Sequence, residues 1–410
     1  MSAPTETIHT TCAIAGGGPA GMMLGFLLAR AGVDVVILEK HKDFLRDFRG
    51  DTIHPSTLEI LNELELLDDF LKLPHQKVYA LTVQIGDETV PIADFSHLPT
   101  RCKFVAFLPQ WDFLNFLAER GARYPSFSLR MRAEVVDLLE EAGRVVGVAV
   151  DTPEGRLDVR AALVVAADGR HSIVREKAKL PIEKLSAPMD VLWFRVSRSP
   201  NDPETGLGRF KPGRLFVLLN RGDYWQCGFI IAKGTVDDVR RAGLPAFRES
   251  VAELIPFAAD RMTDIRSWDD VKLLTVLVDR LTTWYRTGLL CIGDAAHAMS
   301  PVGGVGINLA IQDAVAAGNL LAEPLRRRSL TDADLRRVQE RRALATRIVQ
   351  RFQIVAQNRV VAPVLGSRAR TLTVPFLLRL FMWFPWLRRI PARLVGVGFR
   401  PEHVKIPSRA

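Results

Sequence analysis

The stretch from Thr11 to Glu39 constrains this chain more than any other. An apolar run, Thr11–Ala15, leads into Gly16-x-Gly18-x-x-Gly21. Residues 19–32 then have helical character, and a second apolar run, Val35–Leu38, ends in Glu39. Cys12–Ala29 carries no charge and by length alone could cross a bilayer. Gly16, Gly17, Gly18, Gly21, Gly25 and Pro19 interrupt it, so it reads as strand, tight turn and helix. In such a unit Gly16 permits the turn, Gly18 lets the backbone approach a diphosphate, and Gly21 lets the helix pack on the strand. The helix N-terminus offers unpaired N–H groups and partial positive charge to the phosphates. Glu39 can accept from both hydroxyls of a ribose, which favours a dinucleotide with a free 2′-hydroxyl. A lone glycine motif is weak evidence; the flanking strands, helix and acid make it specific.

The length of 410 residues allows two or three domains and a substantial core. Cys12, Cys102, Cys227 and Cys291 stand singly, without metal-ligand spacing, and read as reduced core thiols. No metal site is expected. The leading MSAPTETIHTT lacks the basic region of a signal peptide. A cytoplasmic location is expected, with the inner membrane surface as the alternative. The net charge of +9 is local: from Arg341 to Pro401 there are twelve Arg and no Asp or Glu. That is not a general nucleic-acid signature, and no nucleic-acid partner is expected.

Two further glycine-acid motifs follow. Asp168-Gly169 ends the buried run Leu163–Ala167, with Ser172 and Arg175 placed to cap and begin a helix. Alone, it is as easily a simple turn. Gly293-Asp294 ends the run Leu289–Ile292 and leads into Pro301-Val-Gly-Gly304-Val305-Gly306-Ile307-Asn308. A helix is expected from about Gly306, aiming its positive end at a flat ligand. Between these motifs, residues 189–198 and 215–232 alternate apolar and polar, with a hairpin at Asn220–Asp223. Residues 144–159 form another hairpin around Pro153 and Gly155.

The three motifs, in this order and spacing, resemble the group A flavoprotein monooxygenases, the para-hydroxybenzoate hydroxylase-like family, over roughly residues 10–325. The resemblance implies an α/β fold: a Rossmann-type FAD-binding domain with an inserted antiparallel-sheet substrate domain and a C-terminal helical region. Expected boundaries are 1–77, 107–180 and 281–330 for FAD, 78–106 and 181–280 for substrate, and 331–410 for the C-terminal segment. Carried over by residue, Gly16, Gly18, Pro19, Ala20, Gly21, Glu39 and Lys40 hold the ADP half of FAD. Arg49 approaches the cofactor, and Gln110 touches its ribityl–phosphate region. Asp168 belongs to a motif linked to FAD and NAD(P)H binding. Gly293 and Asp294 bind the ribityl chain, and Pro301, Gly304, Gly306, Ile307 and Asn308 line the flavin. The family loop usually has Gln where Val305 stands, so any role for that side chain is missing.

The resemblance further implies transient docking of NAD(P)H, with no second dinucleotide fold, and reaction of reduced flavin with O2 through a C4a-hydroperoxide. A helix end at Gly306 would stabilise the anionic reduced ring. No catalytic base has a motif behind it; His297, Pro301 and Arg195 are the candidates, and His297 reads as readily as a packed residue. On the inserted sheet, Trp193, Arg195, Tyr224, Trp225, Gln226 and Phe229 either line the substrate site or belong to its core, with a rim salt bridge as Arg195's alternative. The segment Val374–Phe399 is basic, aromatic and broken by Pro375, Pro385 and Pro391. It lies on an anionic membrane, packs over the substrate domain, or joins a dimer; monomer and homodimer both remain open. The expected function is hydroxylation of an aromatic or lipophilic small molecule. The alternatives are a flavin-dependent reductase of a prenyl or other C=C bond, a halogenase, and a non-catalytic flavin-fold binding protein. The halogenase Trp-x-Trp-x-Ile-Pro motif is absent.

Overall fold

A computed structural model describes residues 6–45, 52–204, 206, 208–367, 369 and 371–408. Glu6–Ala15 (β1) leads through the glycine turn into Pro19–Arg30 (α1) and back to Val35–Glu39 (β2). Pro19 opens α1, where its missing N–H costs nothing. Pro55–Glu63 forms α2, Ala80–Ile85 and Glu88–Asp94 form β3 and β4, and Gln110–Gly121 forms α3. Then come Phe127–Met131 (β5), Glu134–Glu141 (β6), Arg144–Thr152 (β7) and Gly155–Ala166 (β8). Met189–Ser197 (β9), Gly208–Lys211 (β10), Arg214–Asn220 (β11), Tyr224–Ala232 (β12) and Lys272–Leu274 (β13) follow. Leu289–Cys291 (β14) precedes the helices Gly306–Arg326 (α4), Asp332–Ala356 (α5), Phe376–Trp383 (α6) and Arg389–Gly396 (α7).

The first sheet has a parallel core, β14-β8-β1-β2-β5, with Tyr285–Arg286 added antiparallel on the β14 edge and β7 and β6 joined antiparallel beside β8. The pattern of β8 explains its two roles. Its first half alternates, Gly155–Arg160, and pairs with β7 in an antiparallel hairpin. Its second half, Leu163–Ala166, is wholly buried and lies between β1 and β14, where both faces are covered. The acids of the second and third motifs, Asp168 and Asp294, follow the carboxyl ends of β8 and β14. Glu39 ends β2, so all three gather at one edge of the sheet. In a doubly wound sheet that edge is the ligand edge.

The second sheet runs β13-β9-β12-β11-β10-β3-β4. Its pairs are antiparallel except β10 with β3. Strands from two distant stretches, 80–94 and 189–274, thus share one sheet. Alternation sorts its faces. Phe194, Phe216 and Phe229 pack with Phe247 of the helix Leu244–Ala252 on one side. Met189, Val191, Leu215 and Ile230 turn to the other.

The C-terminal segment packs by its inner face: Ala392 joins Ala93, Phe95 and Leu98, and Val374 joins Ile85 and Val90. Among the described residues, one helical stretch, Val302–Arg326, is long and apolar enough to cross a membrane; 78% of its apolar window is buried, and α4 packs against α1 and α5 as a core helix. All four cysteines are buried free thiols, and burial pushes Cys12 up to about 12.

Closeness at the first turn is measurable. A Cβ at Gly21 would stand 2.0 Å from the Gly16 carbonyl oxygen, so backbone must give way. Gly21→Ala is expected to cost about 2 kcal/mol or more and to loosen bound flavin. Thermal unfolding, with flavin release followed by fluorescence, checks this.

A candidate cofactor and substrate cavity

One cavity of about 1210 Å³ lies between the two sheets and under the C-terminal helices. Its lining includes Gly16, Gly18, Pro19, Ala20, Glu39, Lys40, Gln110, Asp168, Asp294, Pro301, Gly304, Gly306 and Ile307. Residues far apart in the chain and expected to share a ligand therefore do share a wall. Gly21, Gly293 and Asn308 sit one layer behind it. Arg49 falls outside the described residues.

At the first turn, Gly16 has φ +102°, and a Cβ there would lie 2.4 Å from the Ala167 carbonyl oxygen. Gly18 is different: a Cβ there meets nothing within 4 Å among the described residues, so its backbone faces open cavity. Glu39 holds the turn, accepting from Gly17 N at 2.9 Å and from His41 N at 3.1 Å. Asp168 Oδ2 accepts from Val174 N at 3.3 Å. Its Oδ1 is buried and takes no hydrogen bond among the described residues. Burial pushes this carboxyl above the usual range, partly offset by hydrogen bonds from Ser172 and the helix N-terminus. Ser172 caps that helix by accepting from Arg175 N. Arg175 fixes the turn further with a bidentate pair to Asp279 at 3.2 Å. Arg170, unforeseen from sequence, lines the cavity 3.8 Å from Asp294.

The Gly293–Gly306 stretch is held from behind. Asp313 on α4 is fully buried and accepts from Gly293 N at 3.1 Å, from His297 Nε2 at 2.5 Å and from Arg342 Nε at 2.9 Å. Burial works to raise this carboxyl, but His297 and Arg342 outweigh it and hold it low. His297 is consequently a correction to the catalytic candidates: buried, bonded to Asp313 and packed against the Trp284 ring in a tilted pair at 4.9 Å, it does not line the cavity. Gln353 Nε2 donates to the carbonyls of Ser300 and Val302 at 2.8 Å, and Gln350 Nε2 to those of Asp279 and Ala298. The spacing of these glutamines on α5 was a signal for a buried polar stripe.

Asn308 also departs from expectation. Its Oδ1 accepts from His54 N at 2.8 Å and Thr57 Oγ1 at 2.7 Å, and its Nδ2 donates to the Thr52 carbonyl. It ties α4 to α2 rather than lining the cavity. Val305 packs with Met299, Leu309 and Val349, so the residue standing for the family glutamine is a core contact. Gly303 and Gly304 take φ +80° and +63°, which keeps the loop's backbone bare toward the cavity.

On the second sheet, Trp193 and Gln226 line the cavity. Trp225 and Phe229 belong to the core behind it. Arg195 is a second correction: it lies beyond the cavity wall, exposed, with its guanidinium 4.8 Å from the Tyr224 ring centroid. Strand alternation points Arg195 to the same side as Trp193, but two residues further the strand has left the cavity.

His54, missed in the sequence, lines the cavity beside Gly304. Its Nδ1 is 2.8 Å from the Val395 carbonyl, so Nδ1 carries the hydrogen. Burial lowers its pKa to about 4, with the Val395 bond opposing. The ring is neutral at pH 7, and Nε2 is an acceptor. The unfolded chain binds this proton first as pH falls. Stability linked to His54 is therefore present above about 6.5 and lost as pH falls toward about 4, a share of about 3 kcal/mol. Urea unfolding at pH 7 and pH 4.5 should show a smaller pH-dependent loss in His54→Gln than in the parent.

Bare backbone at Gly18, the open Oδ1 of Asp168 and the positive end of α4 fit a dinucleotide carrying a flat ring. The model of the FAD binding domain matches residues 9–352. The chain is 32% identical over 369 residues to 6-methylpretetramide 4-monooxygenase of Streptomyces rimosus, covering 88% of each. It is 28% identical over 326 residues to dialkyldecalin synthase of Streptomyces rugosporus, covering 76% of this chain and 65% of that one. Among solved structures, anhydrotetracycline hydroxylase of Streptomyces rimosus superposes with a TM-score of 0.75 at 24% identity, over 95% of this chain and 76% of that one. The chain belongs to the FAD-binding-domain family of group A flavoprotein monooxygenases, and FAD is its cofactor.

Proposed function

We propose that the protein hydroxylates a multi-ring aromatic molecule with few charges, using NAD(P)H and O2. The observation that carries this reading is the continuity of the cavity. One end has glycine turns and acids; the other is walled by Val83, Ile92, Phe107, Met189, Val191, Trp193, Phe210, Val217 and Ile230. The whole exceeds the ~300–1,000 Å³ of a pocket for one drug-sized ligand. FAD, when bound, takes hydride from the nicotinamide and in reduced form activates oxygen for transfer to the substrate.

The roles of the chain follow from its chemistry. Gly18, Pro19 and Ala20 lay a helix N-terminus against the diphosphate. Glu39 receives the ribose, while Asp168 and Asp294 receive the hydroxyls nearer the ring. The first turn of α4, at Gly306 and Ile307, would offer partial positive charge to a flavin held there. Pro301, Val302 and the apolar sheet keep water from the reacting carbon. Gln226 is a polar group on the far wall, with Thr82, and its Oε1 accepts from Arg221 at 3.0 Å, which leaves the amide N–H groups for a substrate oxygen. We assign 1–77, 107–180 and 281–330 to cofactor binding, 78–106 and 181–280 to the substrate sheet, and 331–410 to a helical segment closing the cavity. That segment also serves as a peripheral membrane contact.

The second reading is flavin-dependent reduction of a prenyl or other C=C bond. Anaerobic stopped-flow reduction with NADH and NADPH, followed by 18O2 and product mass analysis, separates the two. Hydroxylation adds one labelled oxygen, and substrate accelerates reduction. A product gaining two hydrogens and no label overturns the oxygenase reading. Glu39→Ala is expected to weaken FAD about ten- to hundredfold, the loss of one or two charge-assisted hydrogen bonds; fluorescence titration of the apoprotein measures it.

A further inference from the structure

The C-terminal helices have two faces, and the inner one does not explain the outer. Leu378, Phe381 and Leu394 line the cavity. On the outside, Phe376, Trp383, Phe384 and Trp386 are exposed. Phe376 and Trp383 hold an edge-to-face pair at 6.1 Å, so the aromatic surface is ordered rather than a loose fringe. Single exposed apolar residues are ordinary, but an adjoining set of large ones marks a contact surface.

Part of the exposed lining of the cavity lies within that surface. Four residues both line the cavity and stand large and exposed: Ile390 of α7 at 61%, Val355 at 51% and Phe352 at 40% on α5, and Ile173 at 37% after the Asp168 turn; three of the four belong to the C-terminal helices. A mouth serving water-borne ligands has no use for such a rim, because each side chain exposes apolar area to solvent at a cost of ~25 cal/mol per Å². The surrounding charge is mostly positive. Arg351, Arg359, Arg389 and Arg393 are exposed around the rim. No Asp or Glu occurs between Arg341 and Pro401. Glu88 of β4 reaches this region and pairs with Arg379. Tryptophan and phenylalanine beside arginine suit a bilayer interface, with the rings at headgroup depth and the cations on anionic lipid.

We infer that α6, α7 and the Phe352–Val355 turn of α5 form one docking face for an anionic bilayer, seated so that the cavity mouth opens onto the lipid and an apolar substrate enters from it. This deepens the proposed function, since it rests on the apolar wall being the substrate space.

The test needs neither flavin nor turnover, so its failure is separable from failure of the oxygenase reading. Co-sedimentation with phosphatidylglycerol–phosphatidylcholine vesicles is expected to exceed that with phosphatidylcholine alone. Binding should drop severalfold between about 0.1 M and about 0.5 M salt, as screening shortens. Trp383→Ser with Trp386→Ser should lower it about tenfold or more, from the lost apolar insertion. Orientation is read separately. The native thiols are all buried, so Val355→Cys, Ile390→Cys and, on the β7–β8 hairpin, Glu154→Cys can each be labelled with bimane. Nitroxide lipid should quench the first two labels and spare the third. Absence of vesicle binding overturns the inference. So does binding without quenching at 355 and 390, and so does light scattering showing a stable dimer that the double tryptophan variant dissolves.

Discussion

The structure depends on how closely α1 approaches β1. Gly16, with its left-handed φ, turns the chain under the Ala167 carbonyl, and Gly21 lets the first turn of α1 rest on the Gly16 carbonyl. No side chain fits at either contact. The helix is therefore pinned with its positive end at the carboxyl edge of the sheet, where β2, β8 and β14 deliver Glu39, Asp168 and Asp294. An anionic diphosphate is the ligand that this geometry favours, because unpaired N–H groups and the helix dipole act in one direction.

The opposite wall is held by burial of charge and amides. Asp313 gathers Gly293, His297 and Arg342 in a water-poor interior, and removing one member would leave the others uncompensated. The glutamines of α5 grip the carbonyls from Ala298 to Val302. Together they allow a loop rich in glycine to keep its shape beside the cavity. A bare-backbone wall can lie flat against a ring only if something behind it prevents collapse.

Much of this was legible in the chain itself. The strand-turn-helix at Gly16–Gly21, the Asp168 and Asp294 turns, the Ser172 cap and the hairpin at Asn220–Asp223 each carry a local rule, and the structure contains each. Residues whose place depends on tertiary contact were not legible. Asn308 sits in the right loop yet clamps Thr52, His54 and Thr57. His297 hydrogen-bonds a buried carboxylate, Asp313, sixteen residues away. His54 faces the cavity because the Val395 carbonyl, more than three hundred residues on, orients it. Arg195 has the alternation of a lining residue and lies past the end of the wall. The C-terminal segment offered packing and membrane contact as alternatives, although a helix pair with two faces can do both.

A crystal structure of the FAD-loaded protein tests the central claim most directly. The diphosphate should lie within hydrogen-bonding distance of the Gly18 and Ala20 amides, with the ring against Pro301–Ile307 and its ribityl chain at Asp294. FAD bound elsewhere, or a crevice at Gly16–Ala20 closed by side chains, would contradict it.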